Sequence, residues 1–181
     1  MKIPEEKIRY PAGPFQRPAT PLTVETAAPF INEIELLPGK LIACTERFQK
    51  ENFQTRTLPG NWTVAQVIHH LADSHMNSQV RIKKALTEDT PPISAYDETA
   101  WAQLSDSSEA DAQLSINLLK ALHARWVILL RSLNDKQMLR EFYHPEMKKN
   151  ISISTNIALY AWHGNHHLGH IELLKEKMGW M

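Results

Sequence analysis

Apolar residues recur at intervals of three and four positions over four long stretches of the chain, and this spacing is typical of amphipathic helices. The first stretch contains Pro29 and Pro38, which we expect to kink or split its helix. Because no strand-like alternation repeats along the chain, the pattern predicts an all-α fold, a four-helix bundle. The four stretches run from Leu22 to Phe48, from Thr63 to Pro91, from Asp111 to Leu133 and from Ser154 to Met178.

Local signals mark the ends of two of these helices. Thr63 is followed three positions later by Gln66, which is the spacing of a capping box. Gly179 comes directly after the last residue of the fourth helix, and a glycine there predicts a C-terminal stop.

Three further segments connect or precede the helices. Residues 1–21 carry five prolines, too many for a helix, so we expect an extended arm that lies across the body of the protein. Asp97 to Leu104 could form a short helix, and residues 140–153 predict a short hairpin or an irregular crossing before the last helix. With neither an internal repeat nor a linker, residues 1–181 are expected to form one domain.

Composition narrows the class of protein. The chain has 20 basic and 20 acidic residues and a pI near 7.1, so it lacks the basic surface expected of a protein that binds nucleic acid. No apolar stretch reaches the roughly 18 residues of a membrane helix, which predicts no membrane partner and a cytoplasmic location. The single cysteine, Cys44, allows no internal disulfide and is interpreted as an inert core thiol.

Histidines are concentrated in the fourth helix, where the segment WHGNHHLGH holds four of the nine. Successive helical residues advance by about 100°, so His163 and His167 lie at or beside the apolar face, whereas His166 and His170 lie away from it. Both pairs have the i, i+4 spacing at which two imidazoles can share one metal ion. Gly164, inside the first pair, would let a neighbouring helix or a substrate come close.

The second helix offers a third metal ligand in the segment VIHHLADSH, which contains His69, His70 and His75. Periodicity favours His75, which is central on the apolar stripe, and does not favour His70. Asp73, one turn beyond His70, is either a hydrogen-bond partner that fixes an imidazole tautomer or a surface carboxylate. From spacing alone, a metal site, a proton relay and a hydrated, histidine-rich surface all remain open.

The familiar catalytic motifs are missing. The zinc metalloprotease motif needs a glutamate directly after its first histidine to activate water, and Gly164 occupies that position here. No serine stands on a Gly-x-Ser-x-Gly elbow. If the chemistry is hydrolysis, the candidate bases are Asp97, Glu98 and His170, although each of them also has a structural interpretation.

The segments HHLADSHMN and WHGNHHLGHI, together with FYHPE, are long and specific, and the chain from about residue 40 to residue 181 resembles the DinB/YfiT-like superfamily. The resemblance implies a four-helix bundle, usually a homodimer, that carries one divalent metal ion on three histidines. Carried over residue by residue, these ligands are His70, His163 and His167. Proteins of this superfamily are described as metal-dependent hydrolases, and some relatives join low-molecular-weight thiols such as bacillithiol to electrophiles.

Three functions are considered, two that the resemblance implies and one non-catalytic alternative. The first is a metal-dependent hydrolase acting on a small molecule, in which the metal, with zinc favoured over nickel, iron or manganese, activates water. The second is a thiol S-transferase, which needs no nearby base because the metal keeps the substrate thiol ionised, so the missing glutamate modestly favours it. The third is a non-catalytic helical dimer in which the metal only joins two helices, and such a closed site needs a fourth ligand such as His75 or His170.

Overall fold

The computed structural model describes residues 3–58, 60 and 62–180, so residues 1 and 2 of the predicted arm lie outside the described residues. The fold is an all-α four-helix bundle with one two-stranded hairpin, as predicted. In chain order the elements are α1 (Glu5–Arg9), α2 (Val24–Thr45), α3 (Lys50–Gln54), α4 (Val64–Thr87), α5 (Glu98–Trp101), α6 (Ser105–Ser108), α7 (Ala112–Arg131), α8 (Asp135–Met138), β1 (Glu141–His144), β2 (Lys149–Ser152) and α9 (Ile153–Met178).

The long helices begin and end at the local signals expected of them. Thr63 caps α4 and forms the predicted capping box with Gln66, and Asp111 caps α7. Ser152 caps α9, two residues before the predicted start. Gly179 ends α9 with a φ of 66°, a left-handed conformation that glycine adopts without a steric penalty.

Two expectations about the N-terminal part of the chain need correction. Helix α2 runs without a break through Pro29 and Pro38, so of the expected kink or split the split is wrong, and the kink stays a prediction. Burial of the apolar face that includes Ile34 and Leu41 holds the helix together although each proline lacks an N–H donor. The arm is not extended throughout, because it contains α1. Pro4 directly precedes this helix, and proline is tolerated at the N-terminus of a helix.

The four long helices form a closed ring in which α2 and α4 occupy diagonal positions, and each of them packs against both α7 and α9. The apolar core is divided into two clusters along the bundle axis. Along α4, His75 lies between Leu71 of one cluster and Ile82 of the other. Along α7, His123 lies between Leu119 of the first cluster and Trp126 of the second. A layer of histidines therefore crosses the bundle between two apolar halves.

The arm lies across α9, as predicted. The indole N–H of Trp162 donates to the carbonyl of Gly13 at 2.8 Å, and Phe15 packs against the same indole. Pro11 approaches α9 so closely that a Cβ added to Gly169 would lie 2.6 Å from its Cβ. Within the described part of the chain, no helix combines the length and the apolar character needed to cross a membrane.

Candidate metal centre

Three imidazoles from two helices converge between α4 and α9. One ligand nitrogen from each of His70, His163 and His167 can be chosen so that all three lie within 4.8 Å of one another. The ring centroids of His163 and His167 are 4.6 Å apart, and those of His70 and His167 are 4.8 Å apart. The helical period that places positions i and i+4 on one face thus directs both α9 rings towards α4, as expected.

The distances fit a shared metal ion. Nε2 of His70 lies 3.2 Å from Nε2 of His163. Two nitrogens that each bind a tetrahedral zinc ion at ~2.0–2.1 Å are roughly 3.3 Å apart. Nδ1 of His167 is buried and has no hydrogen-bond partner among the described residues. Because a buried ring nitrogen needs a partner, this unpaired atom also fits a site built for a cation.

The surroundings keep these rings neutral. Burial, with a smaller contribution from the nearby His166, lowers the pKa of His70 to about 4. Burial lowers the pKa values of His163 and His167 well below the ordinary value, with contributions from the other histidines. Neutral imidazole is the form that binds metal ions, so the site is already in the ligating protonation state at neutral pH.

Behind His163 lies the buried histidine that periodicity favoured as a ligand. Nε2 of His75 lies 3.2 Å from Nδ1 of His163, and Nδ1 of His75 lies 2.9 Å from Nε2 of His123. Nδ1 of His123 in turn lies 2.5 Å from the carbonyl oxygen of Ile34. His75 thus faces inwards as predicted, but it contacts the outer nitrogen of His163 and does not join the group of three. No hydrogen bond joins Asp73 to any of these rings in the described part of the chain, and burial raises the pKa of Asp73 to about 6.

The other two histidines of α9 lie beneath the arm, which disfavours the hydrated, histidine-rich surface that spacing alone left open. The ring of His166 stacks on Trp162 at 4.6 Å, and His170 is only 7 % exposed. Nε2 of His170 donates to the carbonyl of Ile8 at 3.1 Å. His170, one of the candidate bases, therefore uses its Nε2 to bind the arm.

Two cavities flank the three convergent histidines. One, of about 430 Å³, is lined by Trp62, His167 and His170, and the other, of about 200 Å³, by Arg81, Tyr96, Tyr160 and His163. Glu98 is exposed and lines both. Asp97, its neighbour, accepts a hydrogen bond from the backbone N–H of Ala100 as the N-cap of α5. Of these two carboxylates, only Glu98 lines the cavities.

A larger cavity, of about 650 Å³, lies elsewhere on the surface beside Cys44, Lys175 and Trp180. It is open, and no histidine lines it. Burial raises the pKa of Cys44 to about 11, which agrees with an inert thiol. We therefore locate the functional site by its convergent nitrogens and not by cavity size.

Some residues at the site could not be recognised from sequence spacing. Trp62 packs against His70 with ring centroids 4.8 Å apart, and it stands next to the capping residue Thr63, which is the one local signal of its position. Tyr160 precedes His163 by three residues on α9, and their rings are 5.5 Å apart. Arg81 comes from the far end of α4, three turns beyond His70, and only the packing of the bundle brings it to the cavity beside His163.

A four-helix bundle with three inward imidazoles shared by α4 and α9 defines the class of protein. The DinB superfamily model matches residues 33–171, so the chain belongs to the DinB superfamily. It is 45% identical to YfiT of Bacillus subtilis over 96% of this chain and 97% of that protein, and 46% identical to OB0782 of Oceanobacillus iheyensis over 95% and 98%. Both relatives are described as candidate metal-dependent hydrolases.

The same architecture is found in a solved structure. YfiT from Bacillus subtilis superimposes with a TM-score of 0.92 at 44% identity, over 97% of this chain and 99% of that one. It is described as a probable metal-dependent hydrolase with an unusual four-helix bundle topology. The predicted likeness to this family is confirmed.

Proposed function

We propose that this protein is a metal-dependent hydrolase of the YfiT type, with one divalent metal ion held by His70, His163 and His167. The observation that carries the proposal is the convergence of the three ligand nitrogens within 4.8 Å, with a cavity on each side. A metal ion on three imidazoles supplies Lewis acidity and lowers the pKa of a water molecule or thiol that binds to it. Zinc suits three imidazoles, and nickel, iron or manganese are the alternatives.

Side chains of the protein would carry out proton transfer and substrate binding. Glu98 would accept a proton from the attacking water as general base, and its position in the lining of both cavities supports this role. Arg81 and Tyr160 present donors to the smaller cavity, and Nε of Arg81 is buried without a hydrogen-bond partner among the described residues. These donors would bind the polar part of a small substrate, while Trp62 covers His70 from the other side.

Hydrolysis is favoured over thiol transfer because of Glu98. The sequence motif lacks a helical glutamate, which spoke for a mechanism without a base. Glu98, at the start of α5 and in the lining of both cavities, would supply that base by another route. Thiol S-transfer with a low-molecular-weight thiol stays the alternative, because the same metal would ionise a thiol.

A metal that only joins helices would be enclosed by a fourth protein ligand. His75 contacts the outer nitrogen of His163, and His170 donates to the arm, so neither completes the group of three. Two flanking cavities also suit a site that admits a substrate. The homodimer, the cytoplasmic location and the lack of nucleic-acid partners remain predictions.

The test combines metal content with two reactions. Elemental analysis of wild-type protein purified without chelators should find about one metal ion per chain, and His70→Ala should find almost none while the protein stays folded. Hydrolysis of p-nitrophenyl acetate should fall by at least about 100-fold in Glu98→Gln, the smallest effect typical of a lost general base. The metal content of that variant should be unchanged.

The matched control is Asp97→Asn, which keeps an N-cap side chain one residue away and should retain full hydrolysis. Conjugation of 2-mercaptoethanol to an aryl chloride, with no measurable ester hydrolysis, would instead support thiol transfer. A melting temperature that falls in step with metal loss, with no turnover of either substrate, would support the purely structural metal.

A further inference from the structure

We infer that His75 and His123 determine which ring nitrogen of His163 carries a proton. They do so through a series of hydrogen bonds that begins at the backbone carbonyl of Ile34. The hydrogen bonds that link these groups cross the bundle from α2 through α7 and α4 to α9. His75 and His123 are then positioning residues, because they act on the site only through His163.

The direction of the chain is set at its far end. A carbonyl oxygen can only accept, so the 2.5 Å contact requires His123 to donate from Nδ1 to Ile34. A neutral imidazole has one N–H, and therefore Nε2 of His123 is an acceptor. The 2.9 Å contact then requires His75 to donate from Nδ1 to that Nε2.

The same step repeats once more. Because the proton of His75 is on Nδ1, its Nε2 can only accept, and it accepts from Nδ1 of His163 at 3.2 Å. His163 is thereby left with a free lone pair on Nε2. That atom is the one that lies 3.2 Å from Nε2 of His70, inside the group of three.

The deduction requires neutral rings, because an imidazolium donates from both nitrogens. His75 is fully buried and His123 is 1 % exposed. The groups packed against them are the aromatic rings of Trp126 and Tyr160, and no carboxylate bonds to either histidine within the described chain. Burial lowers the pKa of His123 to about 4, so this ring is neutral at pH 7.

The tautomer of His163 should also affect metal binding, and only this effect rests on the proposed function. A ligand histidine held in the wrong tautomer presents N–H to the metal and must rearrange before it binds. Loss of the partner that fixes a ligand's tautomer typically lowers metal affinity by about 10–100-fold. His123 contacts no candidate ligand, so an effect of its substitution on metal affinity would have to pass through His75.

The first experiment reads the tautomers directly in the metal-free full-length protein. Long-range proton–nitrogen NMR spectra of nitrogen-15-labelled protein at pH 7.5 distinguish a protonated ring nitrogen from an unprotonated one. We expect His163, His75 and His123 each to carry the proton on Nδ1. A proton on Nε2 of His163 in metal-free protein would overturn the inference, whether or not the protein binds metal.

The second experiment breaks the chain of hydrogen bonds. His123→Phe keeps the stacking on His75 but removes both hydrogen bonds, and we expect zinc affinity to fall by about 10–100-fold. His123→Gln should restore most of it, because its amide can donate to Ile34 and accept from His75. Zinc affinity is measured by competition with a chromophoric chelator.

The matched control is His69→Phe, which removes a buried histidine that belongs to α4 and has two partners, Ser115 and Ala110. It should destabilise the fold while leaving zinc affinity and the His163 tautomer unchanged. Folded His123→Phe protein that binds zinc as tightly as the wild type would overturn the inference. Wild-type protein that binds no metal would instead reject the proposed function, and the NMR spectra would still test the tautomers.

Discussion

Two histidine pairs on α9 have the same spacing but different surroundings. The inner pair, His163 and His167, faces a third ring, His70, with ring centroids about 5 Å away. The outer pair, His166 and His170, faces the N-terminal arm, where the ring of Tyr10 lies 6.2 Å from that of His166 and the carbonyl of Ile8 accepts from His170. The i, i+4 spacing provides a possible ligand pair, and the groups packed opposite decide its role.

The difference between the pairs lies in what their nitrogens meet. An imidazole nitrogen that faces a second imidazole nitrogen at 3.2 Å needs a proton or a cation between the two lone pairs. An imidazole N–H that faces a carbonyl is already satisfied. The contrast is not complete, since His166 and His170 also form a group with His167 within 4.8 Å, and Nδ1 of His166 is unpaired in the described structure.

The largest expected effect is therefore on metal binding. His163→Ala should lower zinc affinity by more than the ~10–100-fold typical of losing only a hydrogen-bond partner of a ligand. His166→Ala, with the same residue type and the same helix, should leave the affinity nearly unchanged. Equilibrium dialysis with zinc measures both, and equal losses in the two variants would show that the outer group also binds the ion.

The next effect is on stability in acid. The ordinary histidine pKa is 6.5, and burial lowers that of His123 to about 4. The unfolded chain therefore takes up a proton at a higher pH than the folded protein, so this contribution to the free energy of unfolding is complete above pH 6.5 and is lost as the pH falls towards 4. Urea unfolding of metal-free protein across this range should show that the free energy of unfolding decreases as the pH is lowered.

The outer pair provides the comparison for this pH dependence. Burial also lowers the pKa of His170, but its hydrogen bonds to the arm oppose that shift. His123→Gln should thus flatten the dependence of stability on pH more than His170→Gln does. An equal flattening in both variants would mean that the folded protein disfavours protonation of His123 and of His170 to the same extent.

Sequence predicted the features that depend on local order. The capping box at Thr63 and the end of α9 at Gly179 involve residues within one turn, and the helical period distinguished the inner pair from the outer one. The period gives the direction of a side chain and not its contacts, so it placed His75 on the apolar stripe but did not indicate that His70 is the ring that groups with His163 and His167. The residues that cover His170 are more than 150 positions away in sequence, so its burial depends on tertiary packing alone.

The smallest expected effects come from two glycines that lie beside the two pairs. A Cβ on Gly164 would lie 2.5 Å from Cδ2 of Leu37, which is 1 % exposed and belongs to the apolar core. Gly164→Ala should therefore destabilise the fold by about 1–3 kcal/mol, the usual cost of overpacking a core. Thermal unfolding measured by circular dichroism gives this value.

Gly169→Ala should behave differently, although its Cβ would lie equally close to Pro11. The neighbour of Gly169 belongs to the arm, outside the four long helices, whereas Leu37 belongs to α2, so we expect the arm to yield more readily than α2. We expect a loss of less than about 0.5 kcal/mol, in the range of surface substitutions, together with faster proteolysis of the arm and a change in Trp162 fluorescence. A loss as large as that of Gly164→Ala would mean that the arm is part of the bundle core, and the contrast between the inner and outer pairs would then disappear.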